Sequence, residues 1–155
     1  MDTEQLEWLR AQLEASGDKP AFVFAHHPVH ATTSRSTLDK LSIHPDIDMM
    51  AVLKAKKGPG FYFCGHNHAN SIALQNGWHF IQTAACLDIP AFRVVELQNG
   101  QVSISLVELN DEELHEQISR FHTKMRGFTP FPEARGEAAD WSLTVRLDET
   151  TAKMG

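Results

Sequence analysis

The sequence has no run of about 18 consecutive apolar residues, the length that a membrane-spanning helix needs. It also has no excess of positive charge, because 14 Lys and Arg face 20 Asp and Glu for a formal net charge of -6. A general electrostatic affinity for nucleic acid is therefore not expected. The N-terminal stretch has neither the basic start nor the apolar segment of a secretion signal, so we expect a cytoplasmic protein.

Cysteine and tyrosine are scarce, with two cysteines and one tyrosine in 155 residues. Cys64 and Cys86 could form one disulfide, but without a secretion signal we expect reduced thiols, buried as small apolar side chains. Histidine, by contrast, occurs nine times. Several of these histidines are clustered, and such clusters are where metal binding or catalysis is expected first.

Hydrophobic spacing predicts an α/β chain. The predicted elements, in chain order, are helix 3–15, strand 21–25, a helix starting at Pro45, strand 60–64, hairpins 71–83 and 92–109 with Asn-Gly turns, helix 111–125 and an edge strand 141–147. A helix separates the first two strands, which favours parallel pairing. Both strands then end at the same sheet edge, where open α/β sheets bind their ligands.

Each of these two strands runs directly into a histidine motif. Strand 21–25 is followed by His26, His27 and Pro28, and strand 60–64 is followed by Gly65, His66, Asn67 and His68. Neutral imidazole is the commonest metal ligand, and a glycine lets the backbone turn sharply beside it. The pair of motifs predicts a metal site, and the alternative is a set of solvated loop histidines.

The combination of the two motifs resembles the last two motifs of the calcineurin-like metallophosphoesterases. The segment EQLEWLRAQL before the first strand is also similar to that family, and the stretch 78–97 resembles the hairpin region of the branch that hydrolyses cyclic nucleotides and glycerophosphodiesters. The resemblance covers residues 3–109. It implies an α/β/β/α sandwich with metal ions at the strand ends.

The same resemblance implies a dinuclear metal centre that hydrolyses phosphoesters. His26 and His66 would bind one ion and His68 the other, while His27 would lie behind a ligand or near the substrate. Two divalent or transition-metal ions such as Mn, Fe or Zn would bridge a hydroxide that attacks phosphorus. Phosphodiesters such as cyclic nucleotides are the implied substrates.

Three earlier motifs of that family are missing from the sequence. No Asp is followed two residues later by His, Gly17-Asp18 lacks the acidic residue or Asn that should come three positions after Asp18, and Asn67-His68 is followed by Ala69 instead of Asp or Glu. The bridging carboxylate and several other ligands are therefore absent. Activity of this chain by itself is in doubt for that reason.

These absences predict a partial domain. We expect residues 1–110 to form the C-terminal half of a metallophosphoesterase domain, and residues 111–155 to form a C-terminal helix and a loop-rich tail. Half of such a sheet would expose an edge strand and part of its core. The expected partner is a missing N-terminal half or a second copy of the chain.

A non-catalytic module is the alternative function, because three histidines can hold one ion but not a bridged pair.

Other candidate residues have two interpretations each. Arg35 could meet a phosphate or be solvated, and His30 and His44 could line the cleft or face water. Three phenylalanines could bind a partner or pack the C-terminal helix onto the body: Phe121, Phe128 and Phe131.

Overall fold

The structure, a computed structural model, describes residues 2–126 and 131–147. Its elements are α1 Thr3–Ala15, β1 Ala21–Phe24, α2 Met49–Leu53, β2 Gly60–Cys64, β3 Ser71–Gln75, β4 Trp78–Gln82, β5 Ala91–Gln98, β6 Gln101–Glu108, α3 Glu112–Lys124, a 3₁₀ turn Ala138–Asp140 and β7 Ser142–Arg146. The predicted mixed α/β class is confirmed.

Helix α1 begins and ends as its sequence predicts. The Asp2 carboxylate accepts a hydrogen bond from the Gln5 backbone at 2.9 Å, and the Gln5 side chain accepts one from the Asp2 backbone at 3.1 Å. This capping box satisfies two backbone donors at the start of the helix. Gly17, with φ at +55°, turns the chain away just after the helix ends.

Helix α2 differs from its prediction, because it begins at Met49 instead of Pro45. The Asp48 carboxylate accepts a hydrogen bond from the Ala51 backbone at 2.9 Å and so caps the helix there. A turn closed by Ile47 N–H donating to the His44 carbonyl precedes that cap. Pro45 lies inside this turn, and α2 is only five residues long.

The first sheet has the strand order β1-β2-β4-β3. Strands β1, β2 and β4 are parallel, and β3 is antiparallel to β4, as the Asn76-Gly77 hairpin predicts. Strand β2 is buried along its whole length, whereas β1 is only partly buried. Within the described residues β1 is an edge strand, and its Phe24 side chain is 73% exposed.

The second sheet has the order β5-β6-β7 and is antiparallel throughout, with β7 as the predicted edge strand. The two sheets pack through a shared apolar core formed by Phe61, Phe63, Ile81, Val102, Ile104 and Val145. The opposite face of the first sheet carries α1 and α2, through a core that includes Leu13, Met49, Leu53, Tyr62, Trp78 and Phe80. Alternate residues of β2 and β4 therefore serve two different cores.

Helix α3 has the predicted position and no buried residue. After it, residues 131–141 return to the first sheet, where Asn70 N–H donates to the Ala134 carbonyl at 2.7 Å. Part of the predicted tail, including Phe128, lies outside the described residues. The division at residues 110 and 111 stays a prediction. Within the described ranges no helix is long and apolar enough to cross a membrane.

Candidate functional site

The two histidine motifs leave the sheet side by side. Hydrogen bonds between β1 and β2 continue beyond the strand ends, where Ala25 N–H donates to the Phe63 carbonyl at 3.0 Å and Gly65 N–H donates to the His26 carbonyl at 3.1 Å. Parallel pairing thus places both motifs at one edge, as the sequence predicts.

Three of the four predicted site histidines meet at this edge. The Nε2 atom of His26 lies 3.1 Å from the Nδ1 atom of His66. The His27 ring centroid lies 4.0 Å from that of His66 and 5.1 Å from that of His26. The arrangement joins residues that are 40 positions apart in sequence, and it makes one imidazole cluster from two motifs.

A backbone carbonyl orients His66. Its Nε2 atom lies 3.3 Å from the carbonyl oxygen of Lys40, and a carbonyl oxygen can only accept a hydrogen bond. The Nε2 atom is therefore the protonated nitrogen of a neutral His66, and Nδ1 keeps the lone pair that faces His26. Lys40 belongs to the irregular loop after β1, and nothing in the sequence indicated its contribution.

The cluster lowers the pKa of His27. Burial is the largest cause, and repulsion from His66 and then His26 adds to it. A lowered pKa keeps His27 neutral under conditions in which a free histidine would begin to charge. The sequence predicts that His27 lies beside the metal ligands and is not itself a ligand, and this role stays a prediction.

His68 lies beside a buried carboxylate. Its Nδ1 atom is 3.0 Å from Oδ2 of Asp88, whose side chain is only 2% exposed. Asp88 was missed by the sequence analysis, because it comes 20 residues after His68 and belongs to no recognisable motif.

The motif loop is anchored to the loop after β1. Asn67 is buried and donates from Nδ2 to the Ser34 carbonyl at 3.1 Å. The same carbonyl accepts a hydrogen bond from Gln82 Nε2, and Gln82 Oε1 accepts one from Thr33 Oγ1 at 2.9 Å. These buried polar contacts hold the two loops in register, and none of them follows from a local pattern.

The remaining candidates have structural partners. The Arg35 guanidinium lies over the Phe131 ring, 4.1 Å from its centroid. His30 Nδ1 is 3.2 Å from Ser42 Oγ, and His44 Nδ1 is 3.6 Å from Asp46 Oδ2.

The two cysteines lie in different environments, and so do the two described phenylalanines among the candidate residues. Both cysteines are free thiols, and burial raises the pKa of Cys64 to about 12. Cys86 is exposed, so its predicted burial is wrong, because it lies in the turn after β4 and not in a strand. Phe121 is also exposed, while Phe131 packs against the body through Arg35.

A cavity of about 390 Å³ opens beside the cluster. Its walls are His26, His27, the start of α1 at Gln5 and the loop segment 42–47. Its lining mixes polar and apolar side chains, as small-molecule sites do. The cluster is therefore reachable by a ligand.

The donor set fits part of a metal centre. Two nitrogens bound to one tetrahedral zinc ion at about 2.0–2.1 Å are about 3.3 Å apart, close to the 3.1 Å between His26 Nε2 and His66 Nδ1. The described residues nevertheless contain no group of three or more His, Cys, Asp or Glu that could hold an ion. The two histidines could supply nitrogen ligands to one ion, but they do not form a complete two-ion centre.

The chain is similar to known proteins, although no protein-family model matches its sequence. The chain is 36% identical over 61 residues to the glycerophosphodiester phosphodiesterase GpdQ of Enterobacter lignolyticus, which is 39% of this chain and 22% of that protein. It is similar to the crystal structure of a dimetal phosphatase from Danio rerio, with a TM-score of 0.62 and 20% identity over 70% of this chain and 36% of that one.

These matches relate this part of the chain to the calcineurin-like metallophosphoesterases. At 20% identity the structural likeness concerns the fold, which is that of a dimetal phosphatase. The matched region spans 22% of the curated relative and 36% of the solved structure's chain.

Proposed function

We propose that this chain carries part of the active site of a metal-dependent phosphoesterase. The observation that supports the proposal is the convergence of His26 Nε2 and His66 Nδ1 at the ends of two parallel strands. His26 and His66 would hold one ion of the site. A bound ion would supply positive charge that neutralises the phosphoryl group.

The proposed substrates are phosphodiesters, with cyclic nucleotides as one class. The relative from Enterobacter lignolyticus is named a glycerophosphodiester phosphodiesterase, which supports this chemistry for the present chain. The cavity beside His26 and His27 is large enough for one organic substituent of a diester. His27, kept neutral by its lowered pKa, would approach the ester from the cavity wall.

A further polypeptide segment is proposed to complete the site. Among the described residues β1 is an edge strand that ends at Phe24, two residues before His26, so a strand pairing with it would bring its own end beside the histidine cluster. Phe24 and Trp8, which are 73% and 62% exposed, would be covered by that segment. The segment would supply carboxylate ligands to the histidine cluster.

Zinc titration by calorimetry tests the histidine pair. We expect His66→Ala and His26→Ala to weaken zinc binding at least tenfold, because each removes one of two nitrogen ligands. His115→Ala is the matched control, since that exposed histidine lies on α3, where its Nε2 is 3.1 Å from the Leu109 carbonyl oxygen. Equal zinc binding by the wild type and both site variants contradicts the proposal.

The alternative proposal is a non-catalytic module that holds a single ion. It is favoured by the lack of any three-residue ligand group among the described residues. If that ion were structural, a chelator would unfold the zinc-loaded chain, which circular dichroism records on the calorimetry samples. Retained folding with chelator, together with site-specific zinc loss in His66→Ala, favours the phosphoesterase proposal.

A further inference from the structure

Asp88 is presented by a tightly held turn between β4 and β5. The Ala84 N–H, just after β4, donates to Asn70 Oδ1 at 3.0 Å. Further along the turn, His122 of α3 contacts the Leu87 carbonyl oxygen through Nε2. The backbone on the N-terminal side of Asp88 is therefore fixed by two other elements, and its carboxylate has a defined position.

The surroundings of this carboxylate are unusual. Its side chain is 2% exposed, yet among the described residues neither carboxylate oxygen receives a hydrogen bond of good alignment. A buried carboxylate without a donor is strongly unfavourable. The nearest donor is Nδ1 of His68, 3.0 Å from Oδ2, and a small rotation of the imidazole about its soft χ2 torsion would align the two groups.

We infer that Asp88 is a positioning residue for His68. It holds His68 with the proton on Nδ1, so the lone pair on Nε2 is available to a metal ion. The metal part of this inference rests on the proposed function. Carboxylates behind metal-binding histidines commonly fix the tautomer and the ring orientation in this way.

An exposed pair in the same chain provides the comparison. His44 Nδ1 lies 3.6 Å from Asp46 Oδ2, but both side chains are largely exposed, whereas Asp88 is buried. Water competes for exposed groups and weakens their mutual preference. The structure predicts that His68 is protonated at Nδ1. His44 provides the contrast, because its Nδ1 accepts a hydrogen bond from the Asp46 N–H at 3.3 Å, which favours protonation at Nε2.

Long-range proton–nitrogen NMR spectra of the metal-free full chain read these tautomers directly, at a pH where the imidazoles are neutral. His68→Gln and His44→Gln assign the signals. We expect His68 to be protonated at Nδ1 in the wild type and to shift toward the Nε2-protonated form, which predominates in water, in Asp88→Ala. Asp46→Ala should leave the His68 spectrum unchanged.

Asp88→Asn keeps the side-chain volume and provides a second test if Asp88→Ala does not fold. Backbone amide spectra show whether each variant is folded. Its amide oxygen can still accept from Nδ1–H, so we expect an Nδ1-protonated population between those of the wild type and Asp88→Ala. A wild-type His68 protonated at Nε2, or one protonated at Nδ1 regardless of residue 88, overturns the inference.

The two proposals fail separately. Zinc binding at His26 and His66 tests the proposed function, and the tautomer of His68 is read without metal. An Asp88-dependent tautomer without any zinc binding would overturn the function and leave the positioning role standing. Zinc binding with an Asp88-independent tautomer would do the reverse.

Discussion

His66 and His68 both adopt left-handed backbone conformations, with φ at +27° and +55°. Such values are uncommon for residues other than glycine and cost of order 1–3 kcal/mol each when the surroundings impose them. Here the surroundings are the buried Asn67 side chain between them and its bond to the Ser34 carbonyl. The strain is the cost of directing His66 toward His26 and His68 toward Asp88.

The buried side chain of His79 predicts a pH dependence of the free energy of unfolding. Its ring is buried and stacks on Phe61 at 5.2 Å between centroids, and burial lowers its pKa from 6.5. Below pH 6.5 the unfolded chain therefore takes up a proton that the folded chain does not, so the free energy of unfolding falls as the pH falls. His79→Phe should remove this part of the pH dependence.

Urea unfolding at a series of pH values measures the effect. The stability difference between wild type and His79→Phe should be constant above pH 7 and should change in favour of the variant as the pH falls through about 6. A difference that is independent of pH would contradict the prediction.

At the scale of elements, Arg93 of β5 joins parts of the chain that are distant in sequence. Its guanidinium donates to the carbonyls of Gln82 at 3.1 Å, Asp140 at 2.8 Å and Trp141 at 3.3 Å, and to Thr83 Oγ1 at 3.1 Å. Burial lowers its pKa to about 10, which leaves it charged at neutral pH. One side chain thus ties β4, β5 and the turn before β7 together.

Arg93→Lys should therefore lower the free energy of unfolding by about 2 kcal/mol, because an ammonium cannot reproduce the planar fork and leaves buried carbonyls without donors. Chemical denaturation measures the change. Arg120→Lys is the matched control, since Arg120 pairs with Glu116 on the exposed face of α3. That variant should stay within about 0.5 kcal/mol of wild type, and equal losses for both would contradict the role of Arg93.

At the scale of the whole molecule, the two edges of the first sheet differ. The β3 edge is partly covered, because Ile72 N–H donates to Asp140 Oδ1 at 2.7 Å. Among the described residues nothing pairs with the outer side of β1, which also carries the exposed Phe24. An uncovered apolar edge strand is a template for another strand. Within the described part of the first sheet, the uncovered edge is therefore the one beside the histidine cluster.

Phe24→Lys should weaken self-association of the isolated chain severalfold, because it places a charge on that open edge. Sedimentation velocity at increasing protein concentration measures this. Leu74→Lys is the control, since Leu74 is 67% exposed on the covered β3 edge. Association that responds equally to both substitutions, or to Leu74→Lys alone, would contradict the assignment of the edge.

Several features of the site were predictable because their causes are local. The apolar run 60–64 predicts the buried strand β2, and the capping residue Asp2 predicts the start of α1. The histidines that follow β1 and β2 could likewise be assigned to one sheet edge, because each motif directly follows its strand. Asp88 and the Lys40 carbonyl could not be found in this way, because their contacts cross 20 and 26 residues without a pattern.

The sequence by itself determined the order of helices and strands, the parallel pairing of β1 with β2 and the common edge of the two histidine motifs, since hydrophobic period and turn residues act over short distances. Only the tertiary structure decided that β1 lies at an edge of the first sheet, which nitrogen of His66 carries the proton and which carboxylate stands behind His68. These depend on burial and on contacts between distant segments, because a side chain's surroundings are set by packing and not by its neighbours in sequence.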